Sequence, residues 1–548
     1  MSKFRLPHRV PFLGVVAVVV LGTMAAWRIA ERADRPSGFA SSSSYYNVRD
    51  YGATGNGVAK DTKALQTAID SAARNGGGVV VVPPGSYVSG TIHLRSNVTL
   101  RLMGGATLIA SRDDRDFDPY EVPPAGSLSS GRLTWTVGKM RLHSALRPAF
   151  LRETVDNPDT TYSHYSLIVG DNLSNIDIDG LGTIEGNRTA RGGLKLIALK
   201  SCRHVSIRNL TLRDAPSYNI SLIGSEDVVL EGLRILNGYA DGIDPDGSKY
   251  VRIANCYIDT WDDAICAKAS LALGRPMSTE NLVVTNCILK TSNSAFKFGT
   301  ESEGNLRNVA LSNCVMLRRD HGRAPITGVA IESVDGGKID GVVVSNVVMR
   351  DVRTPIFLRL GDRGRGMAVK RPGAMRNVSI SDIVATDATH PISIHGLPGA
   401  PIQAVTLSNI QISERGGHEL PVSEVPELPQ AYPQGEMFGS LPAYSVYARH
   451  VDDLTISNLR ARWQQADIRP AAVFDDIRGL EIVGLRADAE SKSEPPVFLS
   501  DVTGALVKDV SVGDHAPPLN GGSGDQNWEV RNLPSSRHIA WSRVQAVH

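Results

Sequence analysis

Cysteine is scarce in this chain, and its spacing is uninformative for metal. The five cysteines (202, 256, 266, 287, 314) include no C-x-x-C pair, which argues against the common thiolate zinc centres. An odd count leaves at least one thiol free or in an intermolecular bridge. Most of them sit beside apolar strand-like residues, the setting of buried reduced cysteine. Aromatics make up only 6% of the residues and the net charge is +1. A near-neutral chain with no extended basic surface is a poor candidate for wholesale nucleic-acid capture.

Long hydrophobic runs are also missing, apart from Val10 to Trp27. That run follows Lys3, Arg5 and Arg9, and residues 1–35 together carry +4, leaving about −3 for the rest. A basic flank and an apolar run lead us to expect a signal peptide or membrane anchor over residues 1–44, its last part a Ser-rich flexible tether. Either form predicts an exported protein, periplasmic or extracellular, that meets the membrane only through this segment.

What the chain has in quantity is glycine, 52 residues, and a short repeated pattern. A residue, an aliphatic, any residue, an aliphatic and any residue are followed by Asn, Gly or Asp. Examples are "NIDIDG" at 175, "HVSIRN" at 204, "YVRIAN" at 250, "NVALSN" at 308, "NVSISD" at 377 and "DLTISN" at 453. Each copy alternates with the period of a half-buried strand and is too short to bury its apolar side alone. Stacking the copies into a solenoid buries a continuous core, and Asn at the repeated turn can form a hydrogen-bonded ladder. The predicted fold is all-β, a parallel β-helix over 45–548. A capping helix from 62 begins at Asp61 as N-cap and buries Leu65, Ala68, Ile69 and Ala72. Residues 112–165 and 414–444 break the rhythm and are expected to be rim loops.

A second register runs between these strands: "DGIDPD" (241–246), "DAICAK" (263–268), "SAFKFG" (294–299), "GVAIES" (328–333), "TPIFLR" (354–359) and "HPISIH" (390–395). With Ile243, Ile265, Phe296, Val329, Ile356 and Ile392 inward, the outward rows hold Asp244, Cys266, Lys297, Ala330 and Phe357, and Asp246, Lys268, Glu332, Arg359 and His395. Charge concentrated on one face suggests either a polar binding groove or a solvated sheet face. In this alignment Asp241 and Asp263 occupy the same position on adjacent coils, about 4.8 Å apart, and Asp262 adjoins them. Like charges that close cannot all ionise freely, so one should keep its proton near neutral pH. A retained proton beside ionised carboxylates is the equipment for glycosidic cleavage.

The segment "YADGIDPDGSKYVRIANCYIDTWDDAICAK" resembles the signature of polygalacturonase-like family 28 glycoside hydrolases, in which N-T-D-G-I-D precedes G-D-D-C-I-A-I-K. The stretch from "YNVRDYGATGNG" to "NVTLRL" is similar to that family's N-terminus. The resemblance implies a right-handed parallel β-helix and single-displacement, inverting hydrolysis of a pectin-type polysaccharide or oligosaccharide, with no metal or cofactor. It implies Asp262 as general acid, Asp241 and Asp263 as the pair that holds and activates water, and Asp244 in support. A monomer is expected.

Departures from the family pattern bear on the substrate. Its G-H-G segment falls at Asn293-Ser294-Ala295 and its R-I-K segment at Ala330-Ile331-Glu332, so cations that would meet a galacturonate carboxylate are gone. Lys297 and Arg359 are candidate replacements, with Glu332 and His395 as further polar contacts. Trp261, standing where the family has glycine, is a candidate sugar-stacking residue. Two alternatives remain open on sequence. One is a polysaccharide lyase using Lys297, Lys268 or Arg359 as base beside a calcium bound by the acids, and the other is a non-catalytic carbohydrate-binding β-helix.

Overall fold

The structure, a computed structural model, describes residues 44–119, 164–365, 367, 369–418, 424–488, 497–512 and 528–530. All but the last residue of the expected export segment, 1–44, and most of the first rim loop, its residues 120–163, lie outside the described residues. Among the described residues no helix is long and apolar enough to cross a membrane.

From Tyr45 onward the chain winds into a parallel β-helix; earlier coils contribute three short strands each, and from Leu306 these merge into longer, bent strands such as Leu306–Arg318 and Val446–Gln465. One coil, for example, holds Glu226–Glu231, Arg234–Gly238 and Ile243–Asp246. The register follows the repeat: Ile176, Val205, Val228, Val251, Leu282, Val309, Val342, Val378, Val405, Leu454 and Leu480 pair in one continuous column. All of these side chains are buried. The polar residue closing the repeat has two tasks. Asn209, Asn255, Asn286, Asn313, Asn346, Asn409 and Asn458 all take positive φ, a conformation that Asn tolerates better than most residues. Several also donate to the copy below, as Asn346 does to Asn313 at 3.3 Å and Asn458 to Asn409 at 3.0 Å.

The capping helix spans Thr62–Arg74 and buries Ala64, Leu65, Ala68, Ile69 and Ala72, covering the edge that the first coil would otherwise leave open. Asp61 stands at its N-cap position but makes no capping bond. Its carboxylate accepts instead from Thr54 N at 2.7 Å, Thr54 Oγ1 at 3.1 Å and Gly55 N at 3.1 Å, so it ties down the preceding turn. All five cysteines are buried and unbridged.

The charged sheet face has the expected pairing. Ile243 pairs with Ile265, Ile265 with Phe296, Phe296 with Val329, Val329 with Ile356, and Arg359 with His395. Residues 424–444 are more than a rim loop, because they lie across part of this face. Phe438, Leu441 and Ala443 pack with Phe357, Tyr447 and Val473 into a second apolar cluster outside the main core.

Candidate active site

Asp241 and Asp263 are held on adjacent coils by their own backbone. Gly242 N donates to Asp263 O at 2.9 Å and Ile243 N to Ala264 O at 3.1 Å. A Cβ on Gly242 would come within 2.4 Å of Ala264 O, so a larger residue would push the coils apart. The Asp262-Asp263 turn is fixed by hydroxyls: Thr260 and Thr291 both donate to Asp262 O. Oxygens of Asp241, Asp262 and Asp263 all lie within 4.8 Å of one another, which brings together the three carboxylates that the register aligned.

Each carboxylate meets a cation. Lys268 Nζ lies 3.0 Å from both Asp241 and Asp244 and donates to Tyr218 OH at 2.9 Å. Lys297 Nζ is 3.2 Å from Asp263 Oδ2, while Asp263 Oδ1 accepts from Ser294 N at 2.9 Å. Arg191 Nη1 donates to Asp262 Oδ2, and Asn293 Nδ2 and Asp263 N donate to Asp262 Oδ1. Four carboxylates thus touch three cations, a balance that favours one retained proton.

The proton's place differs from the simplest expectation. Burial and the neighbouring Asp244 push the Asp241 carboxyl well above the ordinary carboxylate range. Burial, only partly offset by Lys268, raises Asp244 to about 7. Burial also opposes ionisation of Asp262, yet Arg191, the Asn293 hydrogen bond and Lys297 together hold it below the ordinary range. In the free protein, therefore, the retained proton belongs to the Asp241–Asp244 pair that shares Lys268, and Asp262 is held ionised. Lys268 and Lys297 are both held well above the usual lysine range, because contact with carboxylates outweighs burial.

Exposure separates the roles further. The Asp262 side chain is 15% exposed, against 7% for Asp241 and 5% for Asp263, so Asp262 is the most solvent-facing of the three. Trp261 is 40% exposed. Its Nε1 donates to Asn237 Oδ1 at 3.0 Å, and the Arg319 guanidinium stacks on one side of its ring at 4.1 Å. The indole is thereby held as a shelf beside Asp262.

Arg359 and His395 require a correction. They occupy the expected outward row, but residues 424–444 cover them, leaving them 1% and 0% exposed. Arg359 Nη2 donates to Glu427 O at 2.6 Å and Leu428 O at 3.0 Å. The His395 ring stacks on Phe438 at 3.9 Å, and burial with Arg449 and Arg359 nearby holds it well below the usual histidine range, hence neutral. Both anchor the covering segment and are closed to a sugar. Glu332 is buried too, raised to about 8 by burial despite Lys297, and one of its oxygens lacks a partner.

Sequence reasoning missed Arg191, Asn293, Tyr218 and Tyr432. The hydroxyl of Tyr432, from the covering segment, lies 3.2 Å from Lys297 Nζ. Arg191 and Tyr432 come from loops outside the repeat, where no periodicity marks them. Lys268 stood in the outward row, but its bridge between two aspartates was not foreseen.

With the geometry in place, comparison with known proteins decides the family. The description Glycosyl hydrolases family 28 matches residues 153–431. The chain belongs to glycosyl hydrolase family 28. A second match, Rhamnogalacturonase A/epimerase, pectate lyase-like, covers residues 45–108. A probable polygalacturonase of Vitis vinifera is 27% identical over 66% of this chain and 73% of its own length. An exo-poly-alpha-D-galacturonosidase of Dickeya chrysanthemi is 25% identical over 56% of this chain and 55% of its own length. Among solved structures, an exopolygalacturonase of Thermotoga maritima superposes with TM-score 0.57 at 18% identity, covering 80% of this chain and 96% of that one. A family 28 exopolygalacturonase of Yersinia enterocolitica gives 0.55 at 19%, covering 80% and 78%. These two structures share the fold, and as a family 28 member the chain is a right-handed β-helix glycoside hydrolase.

Proposed function

We propose that this protein is an exported, exo-acting, inverting hydrolase of acidic pectin-type oligosaccharides, using Asp262 as the acid and Asp241 with Asp263 to hold and activate water. The observation that carries the reading is the cluster itself: one partly exposed carboxylate in front of two buried ones on adjacent coils, each in contact with a cation. Asp262 is placed to protonate a glycosidic oxygen, and the pair behind it can orient a water toward the same sugar carbon. The names of the Vitis and Dickeya relatives point to a galacturonan.

Exo action is supported by the covering segment. Beyond Lys297 the sheet face disappears under residues 424–444, anchored by Arg359, His395 and Arg449. A groove closed on one side accepts a chain end more readily than a chain interior. The lyase alternative is weakened by the same contacts. Lys268 and Lys297 are ion-paired and held protonated, and Arg359 is covered, so none of the three is a free base.

A panel of pectic and related oligosaccharides, with product analysis, tests the reading. New reducing ends without ultraviolet absorbance from an unsaturated sugar are the expected result. An absorbing product would establish a lyase, and no product across the panel would favour a binding role.

A further inference from the structure

Arg191 is unlike the other cations that touch the aspartates. Lys268 and Lys297 are each 3% exposed and committed to buried carboxylates, whereas the Arg191 side chain is 46% exposed. It lies 71 residues before its partner, in the connection between strands Thr183–Glu185 and Lys195–Lys200. Gly192 and Gly193 follow it with φ of 108° and 139°, angles that carry the backbone where few other residues can go. Its guanidinium donates to Asp262 while staying half exposed to solvent. No other exposed cation contacts the three aspartates among the described residues.

We propose that Arg191 determines specificity for acidic sugars by changing partners: it rests on Asp262 in the free protein and pairs with the substrate carboxylate in the complex, freeing Asp262 to act as the acid. This inference rests on the glycosidase reading above. A planar guanidinium binds either carboxylate through paired hydrogen bonds, so a uronate competes with Asp262 and a neutral sugar does not. Once Arg191 leaves, Asp262 faces Asp263 of its own coil, Asp241 of the preceding coil, and Asn293 and Lys297 of the following one. Burial beside two carboxylates then favours uptake of a proton from solvent. That proton passes to the glycosidic oxygen as its bond to the sugar carbon breaks, and water held between Asp241 and Asp263 adds to that carbon while giving up a proton to the Asp263 carboxylate. Substrate charge is thus read in the chemical step as well as in binding.

The test compares wild type, Arg191→Gln and Arg191→Lys on an oligogalacturonide and its methyl-esterified counterpart, with pH profiles of kcat/KM. Wild type is expected to prefer the acidic substrate. Arg191→Gln should lose that preference by about tenfold or more, the scale of one charge-assisted pair, with a loss in kcat as well as a rise in KM. Its alkaline limb should move upward, because the acid no longer has a cation holding it ionised, and Arg191→Lys should restore part of both effects. An unchanged preference and unchanged limb in Arg191→Gln would overturn the inference and leave the glycosidase reading standing. So would a wild type that favours the ester. If wild type cleaves neither of these but another member of the panel, this inference is overturned alone; if it cleaves no member, the glycosidase reading fails and this inference falls with it.

Discussion

On the coils at 241–268 and 294–302, the outward charges of one sheet surround three carboxylates at a solvent-facing edge. On the coils at 354–360, 392–395 and 446–449, the same outward rows carry Arg359, His395 and Arg449 beneath residues 424–444. The side chains are similar in kind, yet the first group holds its charges against one another and the second spends them on backbone carbonyls and Phe438. What separates the two is the covering segment: a row of charge on a β-helix is a groove only where nothing folds over it.

The largest expected effect falls in the open half. Asp262→Asn should lower kcat by about 10²–10⁴-fold, the usual contribution of a positioned acid, with the far-ultraviolet circular dichroism spectrum unchanged. Wild-type cleavage by that variant would break the comparison by removing chemistry from the open half.

Lys268→Met comes next. It strands Asp241 and Asp244 without their shared ammonium, and losing one member of a buried ion pair costs about 3 kcal/mol or more. A clear drop in the thermal midpoint is expected. In the covered half, Phe438→Ala removes the ring that His395 stacks on and that Arg359 and Arg449 approach at 5.2 and 5.3 Å. A stability loss of about 3 kcal/mol is expected from urea unfolding, with more products arising from internal cleavage as the cover loosens. A large rise in KM without loss of stability would show instead that the covered residues bind sugar.

How much of this was legible in the sequence follows the same division. The aliphatic columns and the Asp241–Asp263 alignment could be read because a parallel solenoid maps sequence offset onto spatial neighbourhood, with Ile243 and Ile265 setting the register. The cover over Arg359 could not be read, since its contacts are the carbonyls of Glu427 and Leu428 and backbone atoms leave no residue pattern. Arg191 was equally hidden, reaching Asp262 from a connection with no repeat. The lowered Asp262 carboxyl was hidden with it, and so was the support Trp261 receives from Arg319.

Glu332, near the boundary between the halves, gives an effect that only a pH series reveals. Its ordinary value is 4.5 and burial raises it to about 8, so the folded protein keeps a proton that the unfolded chain releases. Stability from this group is intact below about pH 4.5 and is lost as pH rises through about 8. Glu332→Gln should flatten that decline, read from unfolding midpoints across the range.

Anomeric outcome tests the central claim most directly. The acids here lie closer together than the roughly 6.5–9.5 Å usual for inverting pairs, and the proposal places water on two carboxylates behind a third. Proton NMR of the first product released from an α-linked oligogalacturonide should show the β-anomer before mutarotation, as short units freed from a chain end. Initial release of the α-anomer would mean that one of these aspartates attacks the sugar itself, and would contradict the water-holding role of Asp241 and Asp263.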